Sequence, residues 1–92
     1  MADERVTVSV RTFRMGTDKE AARKVVEEAA EAFAEWVIMT DHPMGESGYH
    51  RLHDELADCI TACCNLAARY DIDLQAAIDR VEGSNRERGR YQ

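Results

Sequence analysis

Asp18-Lys-Glu-Ala-Ala-Arg-Lys-Val-Val-Glu-Glu-Ala-Ala-Glu-Ala-Phe-Ala-Glu-Trp-Val-Ile-Met-Thr40 reads as one long amphipathic helix. Placed 100° apart, Ala22, Val26, Ala29, Phe33, Trp36 and Val37 share one side, with Val25 and Ala32 at its edge. Glu20, Lys24, Glu27, Glu28, Glu31 and Glu35 fill the other side, and Glu28 falls at the border, where half-burial is expected. Thr17-x-x-Glu20 has the spacing of a capping box and sets the start.

Working outward, residues 41–48 hold one proline and two glycines and read as a loop. A second helix is expected from about Tyr49 to Tyr70. Leu52, Leu56, Cys59, Ile60, Cys63, Leu66 and Ala67 form its apolar side; Arg51, Asp54, Glu55, Asp58, Ala62, Asn65 and Arg69 form the other. Asp71-Ile-Asp73 breaks the pattern, and Asp73 is a candidate N-cap. A third helix starts at Leu74, with Ala77, Ile78 and Val81 at helical spacing, and Gly83 weakens it. Residues 84–92 read as a polar, arginine-rich tail. Residues 5–14 alternate apolar and polar, a strand period with no second strand to pair with. Together with the rest of 1–16 they read as an N-terminal arm, extended or as a poor helix. The expected fold is all-α: one domain over residues 1–92, an antiparallel helical bundle whose two long helices are joined by about eight residues.

With only 92 residues, the apolar stripes exceed what one subunit can cover, so a homodimer or homotetramer is expected. A net charge of −6 argues against a nucleic acid polymer as partner. No apolar run approaches the roughly 20 residues of a membrane span, and Met-Ala-Asp-Glu-Arg lacks the order of a signal peptide. Three cysteines, all in the second helix, fit reduced thiols and a cytoplasmic setting. Cys59, Cys63 and Cys64 with His50 and His53 invite a zinc reading, but Cys59 and Cys63 lie on the apolar stripe and no Cys-x-x-Cys is present. His42, in the loop, has no assigned role.

The chemistry lies in two acidic pairs, Glu28-x-x-Glu31, preceded by Glu27, and Glu55-x-x-Asp58. Residues three apart on a helix are neighbours. If the two faces meet, four carboxylates converge, which is unfavourable unless a cation sits between them. Hard oxygen ligands suit Mg²⁺, and Mn²⁺ second. A single acidic pair is most often a solvated face. Solvated faces usually mix in lysines, however, and this chain has two, Lys19 and Lys24, of which Lys24 alone shares the first acidic face.

Lys24-Val-Val-Glu-Glu-Ala-Ala-Glu31, followed by Glu55-Leu-Ala-Asp58, resembles the E-E-x-x-E … E-x-x-D signature of the MazG-like, all-α nucleoside triphosphate pyrophosphatases. Ile72-Asp-Leu74, opening a helix that ends near Asn85-Arg-Glu-Arg88, is similar to the family's later segment, so the resemblance covers about residues 17–90. It implies a bundle of that type, completed by oligomerisation. It also implies Mg²⁺-dependent hydrolysis of a nucleoside triphosphate between the α and β phosphates, giving a monophosphate and pyrophosphate. Carried over, Glu28, Glu31, Glu55 and Asp58 are the metal ligands, and the general base lies among Glu27, Glu28 and Glu31. Phosphate contacts fall to Lys24, Arg51, Asn85, Arg86 and Arg88. Val81 stands where family members often place a lysine. Asn65, on the face of Asp58, is a candidate reader of a base edge, and Phe13, Trp36 and Tyr49 are candidate stacking partners. The first motif also resembles phosphoribosyl-ATP pyrophosphatase. A catalytically silent helical module that dimerises or senses a nucleotide is the competing class.

Overall fold

The structure is a computed structural model that describes residues 4–41 and 46–91. Three α-helices and no strand occur among them: α1 (Asp18–Asp41), α2 (Glu46–Arg69) and α3 (Leu74–Glu87). Thr17 caps α1 as its spacing predicts, its Oγ1 accepting from the Glu20 N–H at 3.0 Å. α2 begins three residues earlier than the glycines of the loop suggested, and residues 42–45, with His42 and the rest of that loop, lie outside the described residues. α3 starts where Asp73 Oδ1 accepts from the Ala76 N–H at 3.0 Å. It runs through Gly83 to Glu87, so part of the expected polar tail is helical. One glycine lowers helix propensity by about 1 kcal/mol, too little to end a capped helix.

Both break points close with the same hydrogen-bond pattern. Ile72 N–H reaches the Ala67 carbonyl and Asp71 N–H the Ala68 carbonyl, with Asp71 left-handed at φ 51°. Beyond α3, Arg90 N–H reaches the Asn85 carbonyl and Gly89 N–H the Arg86 carbonyl, with Gly89 at φ 73°.

α1 and α2, 24 residues each, form the body of the molecule. They run antiparallel: Arg51 near the start of α2 bonds Glu35 near the end of α1 at 3.0 Å, and Arg69 at the end of α2 bonds Asp18 at the start of α1 at 2.6 Å. The faces that meet are the polar ones. Ala21, Glu28 and Ala32 of α1 and Ala62, Asn65 and Ala67 of α2 are buried. Their small side chains let the helices approach closely. The stripe expected to form the core faces outward instead, with Val26 69% and Phe33 65% exposed, and Trp36, Leu56 and Ile60 also exposed. Helical periodicity identifies a stripe but not its cover, and here the neighbour within the chain takes the narrower, alanine-lined side.

Residues 4–16 form an extended arm without regular pairing. Phe13 N–H donates to Asn65 Oδ1 at 2.8 Å, and Arg69 Nη1 donates to the Met15 carbonyl at 2.7 Å. Arg5 bonds Glu82 of α3 through both guanidinium Nη atoms, at 3.0 and 3.4 Å. The arm therefore lashes α3 to α2. No helix among the described residues is long and apolar enough to cross a membrane.

Candidate functional site

Three levels of the α1–α2 groove carry the acidic residues. Glu28 and Glu31 project from α1, one turn apart, toward Glu55 of α2. One carboxylate oxygen from each lies within 4.8 Å of the others. Asp58, one turn beyond Glu55, lines the adjoining cavity beside Glu28 and adds its negative charge to the surroundings of Glu55. Glu27 stands outside the group, its side chain 47% exposed.

Burial decides what this group can do. Glu28 is 5% exposed; its Oε1 accepts from Lys24 Nζ at 2.9 Å, while its Oε2 is buried with no partner. Glu55 Oε2 is likewise buried and unpartnered. An unsatisfied buried carboxylate oxygen is costly, and natural structures keep few of them. Glu55 responds by holding its proton: desolvation first, then a shared hydrogen bond with Glu31 and the charges of Glu31, Glu28 and Asp58, lift its pKa to about 7. Lys24 is raised, chiefly by its hydrogen bond to Glu28.

The donor set fits a hard divalent cation. Mg²⁺ takes oxygen ligands at about 2.1 Å, so opposite ligands stand about 4.2 Å apart. A modest side-chain rotation brings the three oxygens into that range. Among the described residues no other group of three or more potential ligands forms. Cys59, Cys63 and Cys64 are free thiols, and burial with its neighbouring cysteines pushes the Cys63 thiol up, away from the thiolate a zinc ion takes.

From the carboxylates a cavity of about 260 Å³ opens toward the start of α1, lined by Phe13, Lys24, Glu28, Asp58, Thr61, Ala62 and Asn65. Asn65 is 3% exposed, and its Oδ1 is taken by the Phe13 N–H of the arm. Phe13, on the arm, lines the cavity, so one of the three stacking candidates is placed at it. Trp36 is instead stacked on Phe33 on the outer face, with centroids 6.1 Å apart, and Tyr49 packs on His53.

The remaining sequence candidates lie elsewhere. Arg51 is held by Glu35, one turn from the carboxylates on the side away from the cavity. Asn85 bonds Arg90 and Tyr91 beyond the end of α3, and neither it nor Arg86 or Arg88 lines the cavity. Thr61 and Arg69 had no role in the sequence reading. Arg69, with a side chain 8% exposed, joins α1, α2 and the arm. Its place at i+4 from Asn65 on the polar face was the available signal. Compared with known protein families, curated proteins and solved structures, the chain matches none.

Proposed function

We propose that this chain is a Mg²⁺-dependent nucleotide pyrophosphohydrolase, cleaving a nucleoside triphosphate to a monophosphate and pyrophosphate. One observation carries the reading: Glu28, whose Oε2 is buried and unpartnered, stands in a group with Glu31 and Glu55, drawn from two helices. Lys24 serves only one oxygen of Glu28, and three carboxylates this close call for more positive charge than one ammonium brings. The family signature supports the same reading, since its two halves are the pairs that meet across the α1–α2 groove.

Glu28, Glu31, Glu55 and Asp58 hold Mg²⁺, or Mn²⁺ in its place. When bound, the metal supplies charge neutralisation for the polyphosphate and activates water. The protein's own residues supply position. The buried wall of Glu28 and Ala62 keeps bulk water from one side of the groove. Lys24 is the ammonium nearest the carboxylates. Glu27, Glu28 and Glu31 are the candidate acceptors of the water proton, and Glu27, exposed beside the group, is free for that work when the others are ligands. The cavity between the carboxylates and Phe13 receives the nucleoside.

The assembly is a homo-oligomer. The outward stripe of Val26, Phe33, Trp36, Leu56 and Ile60 is the surface a second copy covers. In such an assembly the arginines of α3 gain a route to a neighbouring groove. Incubation with a panel of nucleoside triphosphates and Mg²⁺, followed by ³¹P NMR, is expected to show pyrophosphate and monophosphate appearing together. Glu31→Gln is expected to abolish this while helical circular dichroism stays intact. Turnover of phosphoribosyl-ATP alone identifies the narrower enzyme. Binding without turnover supports the silent module and overturns the proposal, as does activity that survives Glu31→Gln.

A further inference from the structure

A cation of the chain itself already stands beside the proposed centre. Lys24 Nζ lies 2.9 Å from Glu28 Oε1 and 3.7 Å from Glu27 Oε2. Glu28 is the pivot between two environments. One of its oxygens serves the ammonium and the other is buried and unpartnered; the same carboxylate stands in the group with Glu31 and Glu55. A divalent ion in that group and an ammonium on the same carboxylate repel each other at short range. The cavity gives the ammonium somewhere to go, because Lys24 lines it.

We infer that Lys24 is a tethered counter-ion: it pairs with Glu28 in the absence of a divalent cation, and an entering divalent cation drives it off into the adjoining cavity, where its charge meets the incoming polyphosphate. This rests on the metal centre proposed above and concerns how that centre is loaded. The ammonium is firmly charged, since Glu28 raises its pKa, so displacement and not deprotonation is the route. Two consequences follow. Lys24 weakens metal binding to the free protein. A triphosphate, by giving the displaced ammonium a partner, strengthens it, so metal and triphosphate bind cooperatively and reciprocally.

The chain has two lysines, Lys19 and Lys24, which makes the displacement directly visible. In protein reductively methylated with ¹³C, the Lys24 signal is expected to shift on adding Mg²⁺ and the exposed Lys19 signal to stay; Lys19→Arg assigns the pair. By calorimetry, Lys24→Met is expected to bind Mn²⁺ at least about fivefold more tightly than the parent protein. The gain in Mn²⁺ affinity from a non-hydrolysable triphosphate analogue is expected to shrink in that variant. If the parent binds Mn²⁺ and Glu28→Gln weakens it, the centre stands. In that case a Lys24 signal unmoved by Mg²⁺, or a Lys24→Met variant that binds no tighter, overturns the counter-ion role alone. If the parent protein binds no Mn²⁺, or Glu28→Gln binds it equally well, the centre itself fails and the inference falls with it.

Discussion

At the residue scale, the site is a set of carboxylates that the metal-free protein tolerates with difficulty. Glu55, with its pKa lifted to about 7, binds a proton more tightly in the folded chain than in the unfolded one. The stabilisation from that proton is therefore complete below the unfolded value near 4.5 and is lost as pH rises through about 7. The metal-free protein is expected to melt at a lower temperature at pH 8 than at pH 5.5, and 10 mM Mg²⁺ is expected to shrink or reverse the difference, because the ion replaces the proton; thermal scans with and without chelator check this. Glu31→Gln removes the charge nearest Glu55. It is expected to raise the metal-free melting temperature at pH 8 by a few degrees while abolishing the rise caused by Mg²⁺. A purely structural acidic face predicts the first effect without the second. That Glu28 stands beside Glu31, and Glu55 beside Asp58, could be read from sequence because a helix places i and i+3 together; that Glu55 and not Asp58 closes on the α1 pair could not. The pairing of Lys24 with Glu28 was also readable, as an i, i+4 contact. Half-burial of Glu28 was readable from its place at the border of the apolar face; its full burial was not, because its neighbours Ala21 and Ala32 give little apolar signal.

At the element scale, two features deserve a physical explanation: the turn after α2 and the arm. Asp71 occupies the left-handed position of that turn, where the Cβ of an ordinary residue is strained. Asp71→Gly is expected to stabilise the protein by about 0.5 kcal/mol, read from urea unfolding, the relief being offset in part by the greater freedom of glycine in the unfolded chain. Arg69 clamps the arm: its guanidinium bonds Asp18 and the Met15 carbonyl, and the Asp18 carboxyl is held below its usual range chiefly by that bond. Arg69→Met is expected to free the arm, seen as roughly tenfold faster tryptic cleavage after Arg11 and Arg14, with α1 and α2 retained. The arm's extended character was legible in its Val6, Val8, Val10 alternation; its anchorage was not. Strand-like alternation normally implies a sheet partner. Here a side-chain oxygen of Asn65 and a guanidinium of Arg69 take that place, long-range contacts that no local pattern encodes.

At the scale of the whole molecule, one chain is a groove without an outer wall. The radius of gyration of 15.6 Å exceeds the roughly 12 Å expected of a folded domain this long, and the buried apolar residues among those described are all alanines. The helix pair was legible from periodicity and loop length. Which face turns inward was not, since two stripes on each helix compete and only packing chooses. The proposed second copy on the outward stripe would resolve the imbalance. Phe33→Ser with Ile60→Ser is expected to shift the protein to a monomer by light scattering, with loss of thermal stability. The central claim is that carboxylates from α1 and α2 share a cation, and anomalous diffraction from crystals grown with Mn²⁺ tests it most directly. The expected result is a manganese peak at about 2.2 Å from oxygens of Glu28 or Glu31 and of Glu55. A peak held by one helix alone, or no peak in the groove, contradicts it.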